Sequence, residues 1–102
     1  GGERQRVVIA AAISLRPKIL ICDECVSALD NSTRFAILEL LIELKKNLTF
    51  SVIFISHNLS VVKSMCDKII VLKNGRIIEN VLQSDLFESK NEYVKKLIQS
   101  SF

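Results

Sequence analysis

Apolar positions recur along the chain in two rhythms. Between Glu3 and Leu15 the residues are good helix formers, and Val7 to Ile13 is apolar on every face, the pattern of a buried helix. Pro17 ends it, because the residue before a proline is pushed out of the α region. Ile19-Leu20-Ile21-Cys22 is a short unbroken apolar run, which predicts a parallel strand covered on both faces. Asn31, Ser32 and Thr33 offer capping oxygens for a second helix to about Asn47. Its apolar residues Ile37, Leu40, Leu41, Leu44 and Leu48 recur at three and four, while Glu39, Glu43 and Lys46 face outward.

Phe50 to Ser56 is β-branched and aromatic and reads as a second buried strand, and Leu59 to Met65 reads as a short helix. Asn74-Gly75, between Ile69–Leu72 and Arg76–Glu79, is a hairpin signal, since both turn residues accept positive φ. From Ser84 onward the tail reads as helix, with Leu86, Phe87, Tyr93, Leu97 and Ile98 apolar. Strands alternating with helices argue for βαβ units and a parallel sheet, so the fold class is α/β with a C-terminal hairpin and a helical tail.

Composition narrows the function classes. The 102 residues are 49% hydrophobic and 25% charged, which suits a folded domain rather than a disordered segment. The net charge of +3 is spread along the chain, and Lys95-Lys96 and Lys45-Lys46 are its longest basic clusters, so no nucleic-acid partner is expected. No apolar run reaches the roughly 18–20 residues that a membrane span requires. Residue 1 is Gly rather than Met, so the sequence is expected to begin partway through something longer.

Cys22, Cys25 and Cys66 are an odd number, against a disulfide framework. Cys22-Asp23-Glu24-Cys25 does match the C-x-x-C spacing of redox and zinc sites, which leaves a thiol or metal module as an alternative function. Against it, no second pair follows, and Cys22 continues an apolar run where a buried Cys acts as a small hydrophobe.

In open parallel sheets, ligands sit beyond the carboxyl ends of the strands. There the first strand carries Asp23-Glu24 and the second Ser56-His57. An apolar strand ending in Asp matches the Walker B pattern, in which that Asp holds Mg²⁺ through its water shell. A Glu directly after it can orient or deprotonate an attacking water, an effect worth about 10²–10⁴-fold in rate.

Taken together, these segments resemble a known family. Gly1-Gly2-Glu3-Arg4-Gln5-Arg6 is similar to the end of the signature motif of ABC-type ATPases, and Ile19 to Glu24 to their Walker B strand. Ser27-Ala28-Leu29-Asp30 looks like their D-loop, His57 falls where their switch histidine belongs, and Asp67 through Glu79 is similar to the strands that follow. Ile19 to Asp30, Phe54 to Val62 and the Leu86-Phe87 and Tyr93 tail resemble the importer branch for oligopeptides, dipeptides and nickel. Cys25 stands where that family more often has Pro, and Asn58 where Asp is commoner.

The resemblance implies a partial P-loop NTPase-type sheet, with residues 1–102 the C-terminal part of one ATPase domain and residues 84–102 its helical tail. It implies ATP and Mg²⁺ as cofactors: Asp23 as the metal residue, Glu24 and His57 as the catalytic pair, and Gly1, Gly2, Glu3 and Asp30 at the nucleotide and the subunit interface. It implies a head-to-tail dimer with a second ATPase subunit, bound to transmembrane permease subunits at the cytoplasmic face of the membrane, with a solute-binding protein as an indirect partner. Gly1, Gly2 and Gly75 are the only glycines, so the phosphate-loop pattern G-x-x-x-x-G-K-[ST] does not occur in these residues, and they alone are expected to be inactive. ABC-type ATPases of DNA repair or translation share several of these motifs and form the other alternative.

Overall fold

A computed structural model describes residues 2–102 of the chain. It divides after Ile55 into two compact units. The first unit contains α1 (Gly2–Ser14), β1 (Ile19–Asp23), α2 (Asn31–Asn47) and β2 (Ser51–Ile55). β1 and β2 pair in parallel without a register shift, from Ile19 opposite Ser51 to Asp23 opposite Ile55. A parallel pair needs a long crossover between its strands, and α2 supplies it. The fold is the α/β arrangement read from the alternation of strand and helix.

Burial in this unit departs from the sequence reading in two places. Along β1, Leu20 and Cys22 are buried but Ile19 and Ile21 are exposed, and on β2 Ile53 and Ile55 are exposed as well. The register places Ile21 beside Ile53 on one face. Only the other face of the pair is covered, so an apolar run suited to two-sided burial alternates between inside and outside. The helix α1 is likewise not buried all round: Ile9 is 6% exposed, Val7 68% and Val8 56%. It packs along one side on α2, and the rest of its circumference faces solvent.

The cap of α2 also differs from expectation. Asp30, not Asn31 to Thr33, is the N-cap, and its carboxylate accepts the Thr33 N–H at 2.8 Å. Inside α2, Ile37, Leu38 and Leu41 are buried, whereas Leu48, at the C-cap, is exposed. The buried stripe is rotated toward Leu38, while Glu39, Glu43 and Lys46 face solvent as their spacing predicts.

The second unit contains α3 (Leu59–Met65), β3 (Lys68–Lys73), β4 (Arg76–Leu82), a 3-10 turn at Gln83–Glu88, and α4 (Glu92–Ser101). β3 and β4 form the expected hairpin, with Asn74 at φ +52° and Gly75 at φ +75°. An added Cβ on Gly75 would meet no atom within 4 Å, so glycine is favoured there by conformation rather than by space. A register shift at Val71/Leu72 sets Val71 opposite Glu79 but Leu72 opposite Ile77, leaving Ile78 as the extra residue of a β-bulge.

The hairpin closes over a core of Leu59, Ile69, Val71, Leu86 and Val94. The tail is helical but not continuous. Ser89 interrupts it, donating its hydroxyl to Glu79 Oε2 and accepting the Asn91 N–H at 3.3 Å. Asn91 then caps α4, its side-chain oxygen accepting from the N–H groups of Tyr93 and Val94. Each half of the tail anchors itself through one fully buried side chain, Leu86 before the break and Val94 after it. No helix among the described residues is long and apolar enough to cross a membrane.

Candidate functional site

The carboxyl end of the β1–β2 pair gathers the acids singled out in the sequence. Asp23 is the last residue of β1, and its side chain is exposed. Glu24 follows at φ +54°, the left-handed region that non-glycine residues rarely occupy and that costs about 1–3 kcal/mol. Three hydrogen bonds fix that conformation. The Glu24 N–H donates to the Ile55 carbonyl at 2.9 Å, carrying the strand ladder one step beyond β1. The Glu24 carbonyl accepts from the Ser27 N–H at 3.3 Å and the Ser27 hydroxyl at 3.0 Å, which turns the chain back on itself.

The two neighbouring carboxylates therefore differ in setting. Asp23 projects into solvent, while Glu24 is half-buried with its Oε2 shielded from water. This division suits two tasks: an exposed carboxylate that meets a hydrated cation, and one shielded from bulk water on a backbone fixed by hydrogen bonds.

Gln5 of α1 braces the same turn. Its side-chain amide donates to the Cys25 carbonyl, twenty residues away in sequence. The sequence placed Gln5 in a motif but gave it no task, because a contact between a helix and a distant turn leaves no local pattern. Inside the turn the neighbouring Cys25 thiol foremost, then burial, holds the Cys22 proton above the usual thiol range, while the Cys22 thiol lowers Cys25.

Asp30 closes the segment that begins at Glu24. Its carboxyl is held below the usual carboxylate value by the Thr33 N–H foremost, then by the Thr33 and Ser32 hydroxyls and the charge of Arg34. Arg34 in turn donates to the Leu29 carbonyl at 3.2 Å, so the residues before α2 are tied to its first turn. Beside that turn, Glu3 and Arg6 of α1 and Ser32, Thr33 and Ala36 of α2 line a shallow, open depression of about 370 Å³.

The remaining expected site residues fall elsewhere. Gly2 begins α1 and Glu3 is exposed in its first turn, while Gly1 lies outside the described residues. His57 belongs to the second unit, two residues past the end of β2, and is exposed. It sits in a turn closed by the Asn58 N–H donating to Ser56 Oγ at 3.0 Å. Asn58 also caps α3, accepting from the N–H groups of Ser60 and Val61 at 3.1 and 3.3 Å. An Asn performs that capping as well as the commoner Asp would.

No family model matches the sequence. Individual proteins do. The chain is 44% identical over 96 residues to methionine import ATP-binding protein MetN 1 of Oceanobacillus iheyensis, covering 94% of this chain and 28% of that protein. It is 44% identical over 99 residues to the metal-staphylopine import system ATP-binding protein CntF of Staphylococcus aureus, covering 97% of this chain and 40% of that one. Among solved structures it is similar to cbiO1 of Clostridium perfringens, described as part of the ABC transporter complex cbiONQ. There the TM-score is 0.79 at 34% identity, over 96% of this chain and 39% of the other. The chain thus spans well under half the length of each relative. Nearly the whole length of the chain is thus similar to one portion of ATP-binding proteins of import systems, and its fold is similar to that of part of an ABC transporter complex.

Proposed function

We propose that this chain is the hydrolytic part of an ATP-binding subunit that energises an ABC importer for peptides or a related small solute. The observation that carries this reading is the paired setting of Asp23 and Glu24, at the carboxyl end of a parallel strand pair and on a turn pinned to Ile55. The similarity to import ATP-binding proteins for methionine and for a metal chelate supports an importer. The likeness of Ile19 to Asp30 to the peptide and nickel branch favours peptides among the possible solutes.

On this reading residues 1–102 form the C-terminal part of one ATPase domain, with residues 84–102 as its helical tail. The chain's donors fit Mg²⁺ in one particular way. Among the described residues no cluster of three or more His, Cys, Asp or Glu could enclose a cation. Asp23 alone would hold it, with water and nucleotide phosphates completing the shell, the usual arrangement for this ion. When bound, the cation supplies charge neutralisation at the phosphates.

Glu24 positions the attacking water and accepts its proton. His57 contacts the terminal phosphate. Gly1 and Gly2, with Glu3, present the start of α1 to the nucleotide of a second ATPase subunit in a head-to-tail dimer. Asp30 serves the interface between the two sites. The dimer sits peripherally on permease subunits at the cytoplasmic face of the membrane, with a solute-binding protein as an indirect partner. ATP is cradled by a phosphate loop, which these residues do not contain, so the 102-residue chain alone neither binds Mg·ATP tightly nor hydrolyses it.

The test is a chimera that joins this chain to the amino-terminal portion of the Staphylococcus aureus relative. Mg·ATP turnover should appear in the chimera and fall by at least about 10²-fold in its Glu24→Gln form. A folded chimera with no turnover, or one indifferent to Glu24→Gln, would reject the assignment. For the isolated chain, micromolar Mg·ATP binding in a calorimetric titration would contradict the expected inactivity.

A further inference from the structure

Glu24 lies between two peptide planes, and different partners hold them. The plane before it is pinned from β2, where the Ile55 carbonyl accepts the Glu24 N–H at 2.9 Å. The plane after it is held from within the turn, by the Ser27 N–H at 3.3 Å and the Ser27 hydroxyl at 3.0 Å. Ser27 is exposed, so it can fix that plane no better than the turn itself is fixed. Val26 buries its side chain there, at 3% exposure, but apolar packing is non-directional and orients no carbonyl. Gln5 supplies the direction: from α1, its side-chain amide donates to the Cys25 carbonyl. Gln5 is half-buried, which partly screens the bond from competing water.

We propose that Gln5 is a positioning residue for hydrolysis, orienting the Glu24 carboxylate through the backbone of the turn. This role rests on the ATPase reading above. The Gln5 amide is spent on a backbone carbonyl, so it acts on the reaction through Glu24 rather than on the reacting atoms. Glu24 is strained at φ +54°, and a strained residue keeps its conformation only while its surroundings over-determine it. Release of the Cys25 carbonyl loosens the turn, lets the plane after Glu24 rotate, and swings the carboxylate away from where it is needed. A misplacement of about 1 Å can cost roughly 10²-fold in rate. The loss falls on kcat, since a misplaced base weakens the transition state without changing how the nucleotide binds.

A brace that served stability alone would behave differently. Its loss would lower the amount of folded protein, leave the turnover of each folded molecule unchanged, and be indifferent to which side chain stands at position 24.

The experiment uses the chimera described above. Gln5→Glu keeps the length of the side chain but replaces the donor with a group that only accepts. Its kcat for Mg·ATP should fall by about 10–100-fold, with KM within about twofold of the parent. Gln5→Lys restores a donor on a longer stem and should recover most of the loss. In the Glu24→Gln background, Gln5→Glu should slow turnover no further, because no carboxylate is left to place. An active, Glu24-dependent chimera would overturn this role, and leave the ATPase reading standing, if Gln5→Glu left kcat unchanged or slowed Glu24→Gln by the same factor. A chimera without turnover, or indifferent to Glu24→Gln, would reject both. Should Gln5→Glu fail to fold, nuclear magnetic resonance of the unaltered chain still decides. The Gln5 side-chain amide should exchange with solvent at least about tenfold more slowly than that of exposed Gln99. Equal rates would mean that the bond to Cys25 does not hold, and the role built on it would fall.

Discussion

The side-chain amide of Gln5 holds the backbone carbonyl of Cys25, joining the first helix to the turn that carries both candidate acids. Apolar packing is non-directional and sets no position for a carbonyl, whereas a hydrogen bond does. A partly buried side-chain to backbone bond contributes about 0.5–1.5 kcal/mol net. Gln5→Ala should cost that much in a urea unfolding experiment. Its exposed neighbour Arg4, replaced by Ala, should stay within about 0.5 kcal/mol of the parent. Equal effects from the two substitutions would remove Gln5 from the architecture of the site.

In the second unit, stability should concentrate at Leu86. This residue is 0% exposed and packs with Leu59, Ile69, Val71 and Val94, so truncation leaves a cavity that the hairpin cannot fill. Leu86→Ala is expected to cost about 2–5 kcal/mol. Leu82→Ala, at a site 58% exposed, should cost well below that. Denaturant melts of the two variants provide the comparison. If they matched, the tail would not be anchored where its burial places it.

Much of this was legible in the residues. Asn74-Gly75 located the hairpin because a tight turn between strands of this twist demands positive φ at two successive positions, and both residues adopt it. The apolar run ending in Asp23 located β1 and the acids beyond it. Other features were not legible, each for a physical reason. An apolar stretch records which burial it would tolerate, not what covers it, so Val7, Val8, Ile19, Ile21 and Ile53 read as core and are exposed. Four capping-competent residues in a row, Asp30 to Thr33, compete for one N-cap, and the backbone angle that decides among them is set by the preceding turn. The braces Gln5–Cys25 and Glu24–Ile55 each link residues far apart in sequence, and spacing carries no sign of them.

The Asp30 cap has a pH signature. Its carboxyl titrates below the ordinary value of 3.8 because the Thr33 N–H and neighbouring hydroxyls favour the charged form. A group with a depressed folded value stabilises the fold fully above the unfolded value. That contribution drains away as pH falls through this range and is gone below the folded value. An Asn at the same position caps nearly as well but carries no titrating proton. Acidification from neutral pH through the carboxylate range should therefore lower the melting temperature of the parent chain more than that of Asp30→Asn. Parallel acid profiles for the two proteins would mean that the Asp30 charge contributes nothing.

At Glu24 the conformation and the chemistry pull in opposite directions. A left-handed φ of +54° is costly for any residue with a Cβ, by roughly 1–2 kcal/mol, and nearly free for glycine. Glu24→Ala and Glu24→Gly both remove the carboxylate and its packing, so the difference between them isolates the backbone. Glycine gives back part of its advantage through the greater freedom of the unfolded chain. Glu24→Gly is therefore expected to be the more stable of the two by about 1 kcal/mol in chemical denaturation. The opposite order would mean that the turn relaxes out of the left-handed region once the side chain is gone, and that the Ile55 and Ser27 bonds do not define it. The expected order would show that the backbone of this turn favours glycine over a residue bearing a Cβ. The role proposed for the Glu24 carboxylate would account for a glutamate at a φ that favours glycine.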